Sequence, residues 1–403
     1  MRPGLSISII VLFAVFACSE KKKEVTDRRI TIGFKDSLHS NILNENREIW
    51  IYQPAELKPG EKCPVVYLLD GDWHFHPITG MIAQLADNSL IPRLILVGIK
   101  NTDRSRDLTP THATKMPDGS EPDFLKTTGG GENFTRFIET ELMPYIEAKY
   151  PVAPYKILIG HSFGGLFAMN TLIHHPNLFN AYISIDPSMW WDEGRLLHQT
   201  DSALNVAKLD GRILFLAVAN TMTPGMDTAR VVKDTASTHS HIRSILELAK
   251  LTGAKRANGL RARSKYYHDD DHGSVPFISE YDGLRFIFDY YKLKADWDQL
   301  TPIALTEHFN KISERLGYSI SPPERQVDNM GHYFLRDKKL DKAQGFFELN
   351  LKNYPNSPSA SDSMGDLLLA KNDTIRAMEF FKKSLAIEDR PVTRKKLDAL
   401  TKK

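Results

Sequence analysis

The sequence predicts a doubly wound α/β domain with a mostly parallel sheet, followed by a small all-α domain, and three observations carry that expectation. Short, continuous apolar runs recur along the first three hundred residues, as strands covered on both faces of a parallel sheet require. Between them lie stretches with helical apolar spacing, so strand and helix alternate. After Leu300 the strand pattern stops and a repeat with a 34-residue period begins.

The amino terminus stands apart from both domains. Leu5 to Ala17 is an apolar run of thirteen residues, too short to span a bilayer but suited to an export signal. It ends at Val15-Phe16-Ala17-Cys18 and turns polar at Ser19-Glu20-Lys21-Lys22-Lys23. This resembles a bacterial lipoprotein signal, which implies lipidation of Cys18, a tether over 19–28, and an envelope protein anchored to a membrane outside the cytoplasm. Val15 and Phe16 depart from the pattern of such signals, which prefer Leu and a small residue there. The only other cysteine, Cys63, precedes Pro64 at the start of an apolar strand and reads as a buried residue.

Within 29–298, "REIWIYQP" (47–54) alternates apolar and polar residues, as a half-exposed strand near a sheet edge does. "CPVVYLLDG" (63–71), "RLILVGIK" (93–100), "KILIG" (156–160), "AYISID" (181–186) and "RILFLAVAN" (212–220) read as interior strands. Glu132 to Lys149 places Phe134, Phe137, Ile138, Leu142, Tyr145 and Ile146 on one helical face. In 301–403, Met330-Gly331 recurs as Met364-Gly365, Ala343 as Ala377 and Phe346-Phe347 as Phe380-Phe381. That period resembles tetratricopeptide repeats. Two repeats leave much apolar surface uncovered, so the module is expected to lean on the first domain, with docking of a protein partner as its other possible role.

The chemistry concentrates at "YKILIGHSFGGLFAMN" (155–170), where a strand meets a helix across Gly160-His161-Ser162-Phe163-Gly164. A G-x-S-x-G corner of this kind holds the serine in a strained conformation and exposes its Oγ as a nucleophile. The amide of Phe163 then points toward a developing oxyanion. A hydroxyl that attacks needs a base. "RARSKYYHDDDHGSVP" (261–276) offers His272, 110 residues after Ser162, with His268 as its rival. A second oxyanion amide is expected from Asp72, in the turn Asp70-Gly71-Asp72-Trp73 that follows an apolar strand.

From Ile30 to Lys294 the chain resembles the putative-esterase branch of the α/β hydrolases, which includes enterobactin and other siderophore esterases, feruloyl esterases and mycolyltransferases. The residues that carry the resemblance are "PVVYLLDGDWHF", "VGIKNTDRSRDLTP", "FIETELMPYIEAKYPV", "ILIGHSFGGLFAMNTLIHHPNLFNAYISIDPSMWWD" and "HDDDHGSVP". It implies Ser162 as nucleophile, His272 as base, the amides of Asp72 and Phe163 as oxyanion donors, and no cofactor. The catalytic acid departs from the pattern, because Asn220-Thr221-Met222 follows the strand after which the family places a carboxylate. Asp227 is favoured, with Asp234 and Asp186 as alternatives, and a Ser-His dyad if none serves.

Arg104 and Arg106, on a loop after a strand, and Trp190 and Trp191 are candidate substrate contacts. Arg104 and Arg106 are equally open to ion pairing with Asp103 or Asp107, and the tryptophans to packing. Asp72, His74 and His76 superficially suggest a metal site, but no further ligand converges and none is expected. A net charge of +2 with no basic stripe excludes a nucleic-acid partner. The expected function is therefore hydrolysis of a small-molecule or glycan ester through an acyl-enzyme. Acyl transfer on the same scaffold, or a non-catalytic repeat-containing binding protein, are the competing readings.

Overall fold

The computed structural model describes residues 30–401 apart from 56, 58–59, 207 and 255–257; the expected signal, Cys18 and tether lie outside the described residues. Eight strands form one sheet: β1 Phe34–Ser40, β2 Glu45–Tyr52, β3 Cys63–Leu68, β4 Ile95–Ile99, β5 Val152–His161, β6 Ala181–Ile185, β7 Ile213–Ala219 and β8 Arg261–Tyr267. Their order is β1-β2-β4-β3-β5-β6-β7-β8. β1 and β2 pair antiparallel, as do β2 and β4, and every other pairing is parallel. The fold is thus the mostly parallel α/β sheet that the apolar runs predict.

β3, β4, β6 and β7 are buried along their whole length, whereas β2 alternates because one of its faces is fully covered and the other, with Trp50 and Tyr52, only partly. Along each interior strand, neighbours serve opposite cores. Val66, Leu68, Ile157, Ile159 and Phe215 join one cluster, and Val65, Tyr67, Leu158, Leu214 and Leu216 join the other. Each such side chain contributes about 1.5–3 kcal/mol relative to exposure.

The helix expected over 132–149 forms in three parts, Gly131–Phe137, a wide turn Ile138–Leu142 and Met143–Lys149. Met143 N–H reaches Ile138 O at the point where Pro144 can offer no N–H to continue the regular ladder. Among the described residues no helix is long and apolar enough to cross a membrane.

Among the described residues beyond Leu300 six helices follow: Pro302–Leu316, Glu324–Arg336, Leu340–Asn353, Pro358–Ala370, Thr374–Ile387 and Pro391–Thr401. The 34-residue period is a packing period. A Cβ on Gly331 would stand 2.4 Å from the Phe347 ring, and one on Gly365 would stand 2.5 Å from the Phe381 ring. Each glycine lets the phenylalanine of the next helix close on the backbone. The repeats differ at the neighbouring position, where Phe346 is buried and stacked on Phe334 but Phe380 is only half-buried.

These helices continue the core of one sheet face without a break, from Ile157 through Leu300 and Phe309 to Phe381. Tyr291 packs edge-on against Phe309 at 5.9 Å, His308 Nε2 lies 3.0 Å from Tyr291 O, and Arg315 covers the ring of Tyr290. Tyr155, near the start of β5, lies 5.9 Å from Phe288 in the same region. The helical segment therefore sits toward the amino ends of the parallel strands, away from their carboxyl edge.

Candidate active site

Ser162 follows β5 and precedes the helix Phe163–His174 with φ 60° and ψ −115°, a conformation that L-residues adopt only under constraint. A Cβ on Gly160 would stand 2.2 Å from Gly164 O, so glycine is obligatory there. A Cβ on Gly164 would make only ordinary contact, 3.4 Å from Leu69 and Asp70 Oδ2, while one on Gly165 would press 3.0 Å against Ile185 O. The tighter constraint after the serine is thus at Gly165. Ser162 N–H donates to Ile185 O (2.9 Å), and Ser188 N–H donates to Ser162 O (3.1 Å), tying the corner to the end of β6.

β3 and β5 are neighbours, and Leu69 N–H donates to Ile159 O at 3.0 Å, so the two helices that follow them begin side by side. Phe163 is the first residue of one helix and Asp72 the second of the other, positions whose N–H groups have no intrahelical acceptor. The glycine before Asp72 serves close approach rather than a turn. The left-handed residue is Asp70 (φ 52°), while a Cβ on Gly71 would meet Gly98 at 2.6 Å.

His272 Nδ1 lies 2.6 Å from Asp186 Oδ2. Asp186 directly follows β6 in a left-handed conformation (φ 39°), fully buried, and accepts the Ala219 N–H on Oδ1 at 2.9 Å. Burial pushes its carboxyl up, but hydrogen bonds from His241 and His272 outweigh it and hold the group below the usual carboxylate range.

Asp227 is not brought to His272. Its exposed carboxylate caps the short helix Thr228–Val231 and pairs with Arg230 at 2.8 Å. Asp234 is also elsewhere, engaged by His239. His268 points to solvent and pairs with Asp269. Among the described residues Ser162 Oγ makes its hydrogen bond with Ser188 Oγ (3.3 Å) and not with His272.

A second histidine, unforeseen in the sequence, shares the acid. His241 Nε2 lies 2.7 Å from the same Asp186 oxygen, and Trp190 Nε1–H donates to His241 Nδ1 at 3.0 Å. Indole can only donate, so His241 Nδ1 carries a lone pair and Nε2 carries the proton that Asp186 accepts. Among the described residues Asp186, His241 and His272 are the group whose potential ligand atoms come within 4.8 Å of one another. With the proton of His241 turned toward Asp186, the set is arranged as donors around an anion. Asp72, His74 and His76 do not converge in this way.

The remaining candidates divide. Arg104 donates to both oxygens of buried Asp70 (2.6 and 3.0 Å) and to His161 O, and its guanidinium lies between the rings of Trp73 and Phe163. It braces the site rather than pairing with Asp103 or Asp107. Arg106 lies in a separate ion-pair cluster with Glu45 and Asp107, beside buried Arg47. Its charges are satisfied there, and Glu45 is held down to about 2, burial opposing the hydrogen bonds from Arg106 and Arg47 that prevail. Trp190 is half-buried beside Phe163 (6.2 Å). Trp191 is buried, donates to Thr111 O and packs on Phe163, so it supports the wall from behind.

On the other flank of His272 the ring of His161 lies 4.4 Å away. Burial, then the neighbouring His272 and His74, push His161 down to about 3, so it is neutral. Nothing in the spacing of "GHSFG" or "THSHIRS" marks His161 or His241, because each acts through a contact made only in three dimensions.

The family model described as "Putative esterase" matches residues 40–233. Ferri-bacillibactin esterase of Bacillus subtilis is 32% identical over 219 residues, 49% of this chain and 76% of that protein. The siderophore enterobactin esterase of Emericella nidulans is 31% identical over 166 residues, 37% of this chain and 54% of that protein. The crystal structure of an IroE-like serine hydrolase from Shewanella oneidensis superposes with a TM-score of 0.67 at 32% identity, covering 79% of this chain and 99% of its own.

Proposed function

We propose, from the premise that this chain belongs to the putative-esterase family and is a carboxylic ester hydrolase, that it works through a covalent acyl-enzyme on Ser162. The observation that carries this reading is the 2.6 Å contact between His272 Nδ1 and buried, ionised Asp186. An imidazole whose Nδ1–H is held by a carboxylate presents its Nε2 lone pair to a proton donor. Ser162 Oγ turns from Ser188 to that nitrogen, gives up its proton and attacks the ester carbonyl. The amides of Phe163 and Asp72, at the two adjacent helix amino ends, receive the oxyanion. Collapse breaks the bond to the alcohol, which takes the proton from His272. Water then attacks the acyl-enzyme with His272 again as base, releasing the acid and Ser162. Asp186, not Asp227, is the acid of this scheme, and Trp190 is the residue of the tryptophan pair that faces the substrate.

The relatives named for bacillibactin and enterobactin support a siderophore ester as substrate. We read 29–298 as the catalytic domain and 301–403 as tetratricopeptide-like repeats that stabilise it by covering its core. The Cys18 signal supports an extracytoplasmic, lipid-anchored enzyme. Purified protein assayed on p-nitrophenyl butyrate and on a catecholate triester siderophore, with Ser162→Ala as control, tests the catalytic reading. Hydrolysis that persists in Ser162→Ala overturns it. A Cys18→Ala protein that still fractionates with membranes overturns the anchor.

A further inference from the structure

A cleft of about 520 Å³ opens beside His272, between the turn that follows it and the start of the helix Gly71–Asp87. Its sides are apolar, from Trp73, Pro77 and Phe277, and Trp73 and Phe277 are more than half exposed. Its floor holds His74, His161 and Glu280. Glu280 is 1% exposed, and neither of its carboxyl oxygens has a hydrogen-bond partner among the described residues. His74 Nδ1 stands 3.6 Å from Glu280 Oε1, too far for a hydrogen bond, and the Nε2 atoms of both His74 and His161 are also buried without partners.

Four orphaned polar atoms in one place are costly, at about 1–3 kcal/mol each, unless something in the cleft satisfies them. Burial raises the Glu280 carboxyl well above its ordinary value and lowers His74, while His161 is neutral as described. The floor therefore offers an O–H donor, ring N–H groups and lone pairs, with no net charge. A ligand that matches it is uncharged and brings both donors and acceptors. Trp73, whose ring already carries Arg104 on one side, and Phe277 offer exposed aromatic surface suited to the C–H groups of a ring.

His272 hands its proton to the departing alcohol, so the alcohol leaves along the flank of that imidazole. His241 and Trp190 occupy one flank and the cleft lies on the other, behind His161. We infer that this cleft is the subsite for the alcohol portion of the ester, that it takes an uncharged ring alcohol bearing further hydroxyl groups, and that Glu280 with His74 and His161 reads those hydroxyls. The inference rests on the esterase reading of Ser162 and not on the siderophore reading, in whose place it puts the ester of a polyhydroxylated ring alcohol.

The test uses two esters with one acyl group and alcohols of similar shape, 6-O-butyrylglucose and cyclohexylmethyl butyrate. The wild-type kcat/KM ratio is expected to favour the sugar ester by about tenfold or more. Glu280→Leu should bring that ratio close to one. Glu280→Gln, which keeps an uncharged donor and acceptor, should hold it within about threefold of wild type. His74→Phe should act as Glu280→Leu does, and stands in for it if that variant does not fold. A ratio near one in the wild type, or a ratio untouched by both Glu280→Leu and His74→Phe, overturns the subsite. A loss in Glu280→Gln as large as in Glu280→Leu overturns the uncharged reading in favour of an ionised carboxylate and a cationic group. Calorimetric binding of 6-O-butyrylglucose to Ser162→Ala separates this inference from the reaction. Glu280-dependent binding without any wild-type hydrolysis sinks the reaction and keeps the subsite. Hydrolysis without preference and without Glu280-dependent binding sinks the subsite alone.

Discussion

The two ends of the parallel sheet are built on opposite terms. At the carboxyl edge three strands finish on left-handed residues, Asp70 after β3, Ser162 after β5 and Asp186 after β6. Each such residue costs on the order of 1–3 kcal/mol. The same edge leaves Glu280, His74 and His161 with buried polar atoms that lack hydrogen-bond partners among the described residues. Toward the amino ends, Tyr290, Tyr291 and Phe288 pass straight into the apolar helices beyond Leu300, where Gly331 and Gly365 are shaped to take Phe347 and Phe381. One end stores strain and unsatisfied polarity, and the other supplies packing that over-determines the scaffold. On the reading that the helices beyond Leu300 serve packing, they bear on the chemistry through stability alone, since they lie away from the serine.

The largest effect that would break this division is at the strained edge. Ser162→Ala and His272→Ala should each lower kcat/KM on p-nitrophenyl butyrate by about 10⁴-fold or more, with melting temperatures close to wild type. If His272→Ala keeps a tenth of wild-type turnover, the imidazole does not act as the base.

Asp186→Asn should cost about 10²–10⁴-fold in kcat, because the amide cannot accept from both His272 and His241 without turning its NH₂ toward one of them. Asp227→Asn, by contrast, should leave turnover within about twofold, since its carboxylate serves a surface cap. Equal losses in the two variants would contradict the arrangement around Asp186.

At the packed end the prediction concerns stability alone. Removing 301–403 should lower solubility and the melting temperature by several degrees, while any folded fraction retains kcat on p-nitrophenyl butyrate. Gly331→Ala, which drives a Cβ into the Phe347 ring, should destabilise by about 1–3 kcal/mol in denaturant titration. A truncated protein as stable and soluble as the full chain would leave the helices free for a partner instead.

The smallest effect is one of pH. The folded Glu280 carboxyl titrates above its unfolded value of about 4.3, so as pH rises the unfolded chain sheds this proton first and stability drains away. Glu280→Gln carries no such proton. Its melting temperature relative to wild type should therefore climb between pH 5 and pH 8. Asp186 has the opposite sign, its contribution being present above the unfolded value of about 3.9 and lost as pH falls through its depressed folded value. A difference between Glu280→Gln and wild type that does not change across pH 5–8 would show that Glu280 is ionised in the fold.

Local chemistry made much of this protein legible from sequence. Continuous apolar runs mark strands because a strand buried on both faces has no polar position. The glycines around Ser162 mark a corner because Gly164 O leaves no room for a Cβ on Gly160, and Ile185 O and Pro187 would crowd one on Gly165. The 34-residue period reports the glycine–phenylalanine contacts of successive hairpins. The acid was not decided that way. Asp227 and Asp186 both follow strands of the sheet, and only the register of β6 beside β5 and the turn of Asp186 to φ 39° bring one carboxylate under His272. Arg104 likewise reads as a loop cation until β3 and the loop after β4 meet and Asp70 takes it. His241, His161 and Glu280 come from three separate elements. Their roles follow from which side chains share a buried space, a property of the packed sheet and its helices that no spacing along the chain encodes.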